Sequence, residues 1–203
     1  MEYRPLSIEG AWEITPKVFA DPRGLFTEVF SAPAFEGAVD HPLAVRQVNC
    51  SVSAAGVVRG IHFADVPPSQ AKYVTCVSGA VLDVVIDIRV GSPTFGQWDT
   101  VLLDDVDRRA IYLSEGLGHA FMSLEDGSVV TYLCSETYQP DREHGIHPLD
   151  PDLAIAWPTH SRGGEPLAVS LSPKDEQAPS FTEATTTGLL PTYDAARAFR
   201  SGL

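Results

Sequence analysis

Between residues 8 and 157 the chain alternates short apolar runs with Gly, Pro, Asp and Ser punctuation. The runs 11–19, 25–30, 44–53, 56–63, 71–78, 80–89, 96–103, 109–114, 118–124 and 128–138 have the length and β-branched or aromatic content of strands. The stretches "DPRG", "VPPSQ", "VSGA", "GSPTFG" and "LEDGS" read as the turns between them. So many short strands without helical periodicity between them predict a mainly β fold, a sandwich or barrel. Helical expectations are few. "APAFEGA" reads as a short helix, and beyond Trp157 a loop, "PTHSRGGEP", leads to two short C-terminal helices in "PSFTEATTTGLL" and "PTYDAARAFRSGL". Residues 1–203 are read as a single domain, with 159–203 a loop and helical extension packed on its outside.

Strand parity exposes a polar face. In "VRQVNCSVS" the residues Gln47, Asn49 and Ser51 share one side, and Val48, Cys50 and Val52 the other. Lys72 lies with Val74 and Cys76, and Tyr132 with Val130 and Cys134. Arg59 and His62 are three apart, so a regular strand would point them to opposite faces. A bulge at the intervening Gly60 would aim both into one cavity. A sheet face bearing Gln, Asn, Lys, Tyr and His among small apolar residues describes a ligand cavity better than a dry core.

Composition narrows the classes. Apolar residues make up 44% and charged residues 20% of 203, ordinary for a soluble globular protein. A formal net charge of −13 argues against a nucleic-acid or anionic-membrane surface, though not against an anionic small molecule met by a local Arg and Lys cluster. No signal-type pattern opens the chain. No run reaches about 18 apolar residues, because Asp83 and Asp87 interrupt the most hydrophobic stretch. Cys50, Cys76 and Cys134 each fall in a strand-like run and read as buried, reduced thiols of a cytoplasmic protein.

His62 is the candidate base. With a Lys to stabilise an oxyanion and a Tyr to return a proton, the set suits proton abstraction next to a carbonyl. On residue type alone, structural readings remain open: a satisfied strand histidine, routine strand aromatics at Tyr132 and Tyr138, turn chemistry at Arg23, and a solvated pair at Lys174 and Asp175. Metal binding is the competing use of His62, but "HFADVPP" lacks the second His and the Glu of a metal cupin. His119 alone does not complete a ligand set. No metal or other cofactor is expected. His41, His144, His147 and His160 lie in loop-like sequence and are read as solvated.

The segments "DPRGLFTEVF", "VRQVNCSVSAAGVVRGIHF", "PPSQAKYVTCVSGAVLDVVIDIR", "GSPTFGQW", "YLSEGLGHAF", "YLCSETYQPDREHGI", "DPDLAIAWP" and "LSPKD" follow one another in an order that resembles the dTDP-4-dehydrorhamnose 3,5-epimerase family. The match spans roughly residues 5 to 193. The resemblance implies a cupin-like jelly roll, no metal, and a homodimer acting on a dTDP-4-keto-6-deoxy sugar. It implies His62 as general base, Asp175 as the group that orients it, Lys72 at the enolate oxygen and Tyr132 as the acid on the opposite face. Arg23 and Arg59 are implied as diphosphate contacts, and Phe26, Glu28, Gln47, Asn49 and Tyr138 as nucleotide or sugar contacts. His119, Glu143 and Lys174 complete the implied pocket. One departure is "GLGHAF", where the family reads Gly-Phe-Ala-His-Gly-Phe. A mono-epimerase acting at carbon-3 or carbon-5 only, in a deoxysugar natural-product pathway rather than rhamnose synthesis, is the alternative within enzymes. A nucleotide-sugar-binding cupin without turnover is the alternative outside them.

Overall fold

The structure is a computed structural model that describes residues 1–202. Its elements in sequence order begin with β1 (Glu2–Pro5), β2 (Ala11–Thr15), β3 (Val18–Asp21), β4 (Gly24–Thr27), α1 (Ala32–Val39), β5 (Gln47–Ser53), β6 (Val58–Ala64) and β7 (Lys72–Ser78). There follow β8 (Ala80–Ile86), β9 (Trp98–Asp104), β10 (Ala110–Leu113), β11 (Gly118–Ser123), β12 (Ser128–Cys134), β13 (Glu143–Gly145), α2 (Pro173–Glu176), α3 (Phe181–Thr186) and α4 (Tyr193–Ser201). Ten of the strands match expected runs, within a few residues at each end. The run 11–19 divides into β2 and the start of β3, because Pro16 has no N–H for a ladder. The short edge strands β1 and β13 lie outside the expected runs, as does α2.

Two antiparallel sheets face each other. One has the order β1-β2-β10-β7-β12-β5, the other β13-β6-β11-β8-β9. The cupin-like sandwich is held by side chains that meet between the sheets: Val74, Ile111, Leu113 and Val130 from the first, Val81, Val85, Leu103 and Phe121 from the second. The outer faces are covered as well. The segment that follows β13 packs Ile146, Leu153, Ala184 and Leu190 over Ile61, Val84 and Ile86. Helix α1 sets Phe35 and Val39 against Tyr73 and Tyr112. A strand buried on both faces needs no polar alternation, which explains near-continuous runs such as "AVLDVVI".

Edge strand β5 is the exception. Its Gln47, Asn49 and Ser51 face inward, and Val48 and Val52 stand 62% exposed on the outside. Cys50 shares that outer face, so the expectation of three buried thiols is corrected: Cys76 and Cys134 are buried and Cys50 is exposed. The cause is parity. A strand that spends its inward face on polar groups turns its apolar ones to the outside.

Beyond β8 the backbone turns around a buried ion pair. Arg89 Nη2 meets Asp87 Oδ2 at 2.8 Å with the two side chains 1% and 0% exposed. Ser92 and Thr94 hydroxyls also donate to Asp87 at 2.6 Å each, and the Arg89 guanidinium lies 5.1 Å from the Tyr193 ring of α4. Burial pushes the Asp87 carboxyl up, but these hydrogen bonds and the Arg89 charge outweigh it and hold the group below its ordinary value. Its share of stability is therefore complete above the ordinary value of 3.8 and is lost as pH falls through the lower folded value. Asp87→Ala strands a buried guanidinium, and urea unfolding is expected to show a loss of about 3–5 kcal/mol. A loss no larger than that of an exposed Asp→Ala control would mean that Arg89 finds another partner.

Candidate active site

Between the sheets lies a cavity of about 460 Å³. Gln47, Asn49, Lys72 and Tyr132 enter it from β5, β7 and β12 of the six-stranded sheet. Arg59, His62, His119 and Glu143 enter from β6, β11 and β13 of the five-stranded sheet. Lys174 and Asp175 reach it from α2, and Tyr138 from the segment after β12. Eleven of the fourteen residues named from sequence thus share one cavity. The structure adds Gln70, Phe121 and Ser172 to the lining.

The bulge does what the spacing required. β11 pairs His119 with His62 and Phe121 with Arg59, so β6 carries an extra residue there. Gly60 sits at φ +120, and a Cβ on it would lie 2.5 Å from the His119 carbonyl oxygen and 2.7 Å from the Ala120 Cβ. Only glycine tolerates that conformation and that approach. Both Arg59 and His62 consequently face the cavity. Arg59 is steadied by bonds from Nε to Ser53 Oγ at 3.0 Å and from Nη2 to the Val52 carbonyl at 3.2 Å.

His62 Nε2 stands 2.7 Å from Asp175 Oδ1. Asp175 is buried and locked by the N-cap of its helix: Ser172 Oγ accepts from the Asp175 N–H at 3.1 Å and donates to Asp175 Oδ2 at 2.8 Å. Burial raises the Asp175 carboxyl, but the bonds from His62 and Ser172 and the nearby His62 and Lys174 charges bring it below its ordinary value. It is an anion beside the imidazole, with no resemblance to a solvated loop charge. The sequence signal for α2 was present, since Ser-Pro-Lys-Asp sets an N-cap serine before a Pro in the first turn.

Lys72 and Tyr132 complete the polar set from the opposite sheet. Register places Cys134 beside Lys72 and Tyr132 beside Val74, so the two functional groups are diagonal neighbours on one face. Burial lowers the Lys72 ammonium, opposed by Cys134, Glu143 and Asp83. Burial raises the Tyr132 phenol, so it remains a proton donor across the neutral range. Gln47 Nε2 donates to Asn49 Oδ1 at 2.8 Å, and the Tyr138 N–H donates to Gln47 Oε1 at 2.9 Å, which fixes these amides at the rim.

Arg23, Phe26 and Glu28 do not reach the cavity of their own chain. β3 and β4 pair only with each other, as a two-stranded sheet apart from the sandwich. Arg23 is held by Asp21 at 2.5 Å, and Phe26 is 68% exposed. Two histidines also depart from expectation. His41 is buried, and His144 lies in β13 with its Nε2 2.8 Å from Asp65 Oδ1. Among the described residues, no three His, Cys, Asp or Glu side chains are grouped to hold a metal ion.

The family profile described as dTDP-4-dehydrorhamnose 3,5-epimerase matches residues 5–183. The chain belongs to that family. A dTDP-4-dehydrorhamnose 3,5-epimerase of Mycolicibacterium smegmatis is 60% identical over 199 residues, covering 98% of this chain and 95% of its relative. A dTDP-4-dehydrorhamnose 3-epimerase of Streptomyces niveus is 58% identical, over 98% of this chain and 92% of that one. The solved Mycobacterium tuberculosis rmlC epimerase superposes with a TM-score of 0.94 at 57% identity, covering 100% of this chain and 99% of the other. The enzyme is a 3,5-epimerase of a dTDP-linked sugar. Among the described residues no helix is long and apolar enough to cross a membrane.

Proposed function

We propose that this epimerase acts on dTDP-4-dehydro-6-deoxy-D-glucose and inverts carbon-3 and carbon-5, the two carbons flanking the ketone, to give dTDP-4-dehydro-L-rhamnose. The observation that carries the reading is the placement of base and acid on opposite sheets. His62 projects from β6 of one sheet, and Tyr132 and Lys72 from β12 and β7 of the other, into a single cavity. His62, oriented by Asp175, removes the proton next to the carbonyl. The electron pair moves onto the ketone oxygen as an enolate, whose charge Lys72 balances. Tyr132 then delivers a proton to the other face of the same carbon, and the centre is inverted. Solvent resets His62 and Tyr132 for the second carbon.

Arg59 and Lys174 supply positive charge for the diphosphate in a protein of net charge −13, with Gln47, Asn49, His119, Glu143 and Tyr138 as the remaining sugar and base contacts. Arg23, Phe26 and Glu28 act on a second copy's cavity in a homodimer. The support is a hairpin with no partner strand in its own chain, exposing Phe19, Leu25 and Phe26 together. The apolar outer face of β5 offers further surface for the same association. The cytoplasm is the compartment that three unpaired cysteines suit best.

Turnover in heavy water followed by NMR of the product tests the reaction. The expected product carries deuterium at carbon-3 and carbon-5 with both centres inverted. Inversion at one carbon only would make this enzyme a mono-epimerase, as the Streptomyces niveus relative is described. No exchange at either carbon would sink the catalytic assignment of the cavity.

A further inference from the structure

A second histidine–aspartate pair lies behind the first. Asp83 is fully buried on β8, and His119 Nε2 meets both of its carboxylate oxygens, at 3.0 and 2.9 Å. Asp83 stands opposite Phe121 and shares a strand face with Val81 and Val85, which pack between the sheets against Val74 and Cys76. Lys72 extends from that same inner face of β7. An apolar interior therefore holds a carboxylate facing the sheet that carries the ammonium, with an imidazole bound to the carboxylate. The reaction derived above gives Asp83 no contact with substrate. A buried charge without a use is costly, and an isolated carboxyl there would take up a proton.

We infer that Asp83 is a positioning residue: its carboxylate fixes the His119 ring at the cavity wall and supplies the internal negative charge against which Lys72 stays an ammonium. The inference rests on the enolate-holding role given to Lys72. That role needs a proton on Lys72 at neutral pH, and burial works against it. The groups facing Lys72 are Cys134 and Tyr132 of β12, Glu143 of β13, His62 of β6, His119 of β11 and Asp83 of β8. Of the two carboxylates, Glu143 lies on an edge strand and is partly open to solvent, whereas Asp83 is enclosed. Screening by water weakens the first charge and spares the second. Burial holds the Asp83 carboxyl above its ordinary value, and the His119 charge and hydrogen bond and the Lys72 charge offset this only in part, so the carboxylate depends on both partners.

The protein has three lysines, Lys17, Lys72 and Lys174, so a sample labelled with carbon-13 at the lysine ε position gives a short spectrum in which Lys72→Met assigns the signal of interest. In Asp83→Asn the side-chain amide oxygen still accepts from His119, so shape and hydrogen bond persist while the charge is gone. The Lys72 titration is expected to move to lower pH, the direction set by losing one opposite charge from the enclosed interior. The alkaline limb of the deuterium-exchange profile is expected to move down with it. A Lys72 titration unchanged in folded Asp83→Asn overturns the inference. The coupling is reciprocal, and Lys72→Met is expected to raise the pH at which the Asp83 carboxyl takes up its proton. An unmoved Asp83 titration overturns the inference even where Asp83→Asn does not fold. Both titrations are read without substrate, so they stand apart from the wild-type exchange experiment that tests the role of Lys72 in the reaction.

Discussion

His62→Ala is expected to lose turnover at both carbons, with dTDP affinity by calorimetry close to that of the wild type. The imidazole faces the cavity from the five-stranded sheet and is oriented by a buried carboxylate of α2, with Asp175 Oδ1 2.7 Å from His62 Nε2. Removing a positioned general base costs about a hundredfold to ten-thousandfold in rate. Asp175→Asn is expected to fall between wild type and His62→Ala, because the amide can still orient the ring but no longer stabilises an imidazolium. Binding survives because the cationic and amide contacts, Arg59, Gln47 and Asn49 among them, have their own hydrogen bonds independent of the imidazole. Solvent deuterium exchange at the wild-type rate in His62→Ala would assign the base elsewhere.

Tyr132→Phe separates proton removal from proton return. Ring size is kept, so packing against Val130 and its neighbours changes little. The lost group is a phenol that burial keeps protonated. Exchange of deuterium is expected to persist, since His62 and Lys72 remain, while inverted product falls by about a hundredfold, most clearly at carbon-5. The stereochemistry of this variant carries more information than its rate. Unchanged rate and unchanged inversion would pass the donor role to water or to Tyr138, which also lines the cavity.

Much of the site was legible in the sequence because a strand has period two. That parity alone put Gln47 with Asn49 and Lys72 with Val74 and Cys76, and the odd spacing of Arg59 and His62 called for the Gly60 bulge found in the β6–β11 register. Asp175 was suggested only by the family likeness. Its neighbours read as a loop, although Ser172 and Asp175 together spell the cap that nucleates α2. Asp83 stands out in the sequence merely as a charge interrupting an apolar run, and His144 as a loop residue. Both are misleading for one reason: their partners, His119 and Asp65, lie 36 and 79 residues away in sequence.

The sequence by itself determined most of the strands and which side chains share a strand face, since both follow from local backbone periodicity and turn chemistry, but not the short elements β1, β13 and α2 or which face of β5 turns inward. It also determined family membership, because ordered motifs over nearly the whole length do not need coordinates to be recognised. Only the tertiary structure decided which inward faces meet. Pairing of β6 with β11 and of β7 with β12, across separations that no local pattern encodes, set base and acid on facing sheets. The same packing excluded Arg23, Phe26 and Glu28 from their own cavity, because a hairpin that bonds only to itself is placed by its surroundings and not by its sequence.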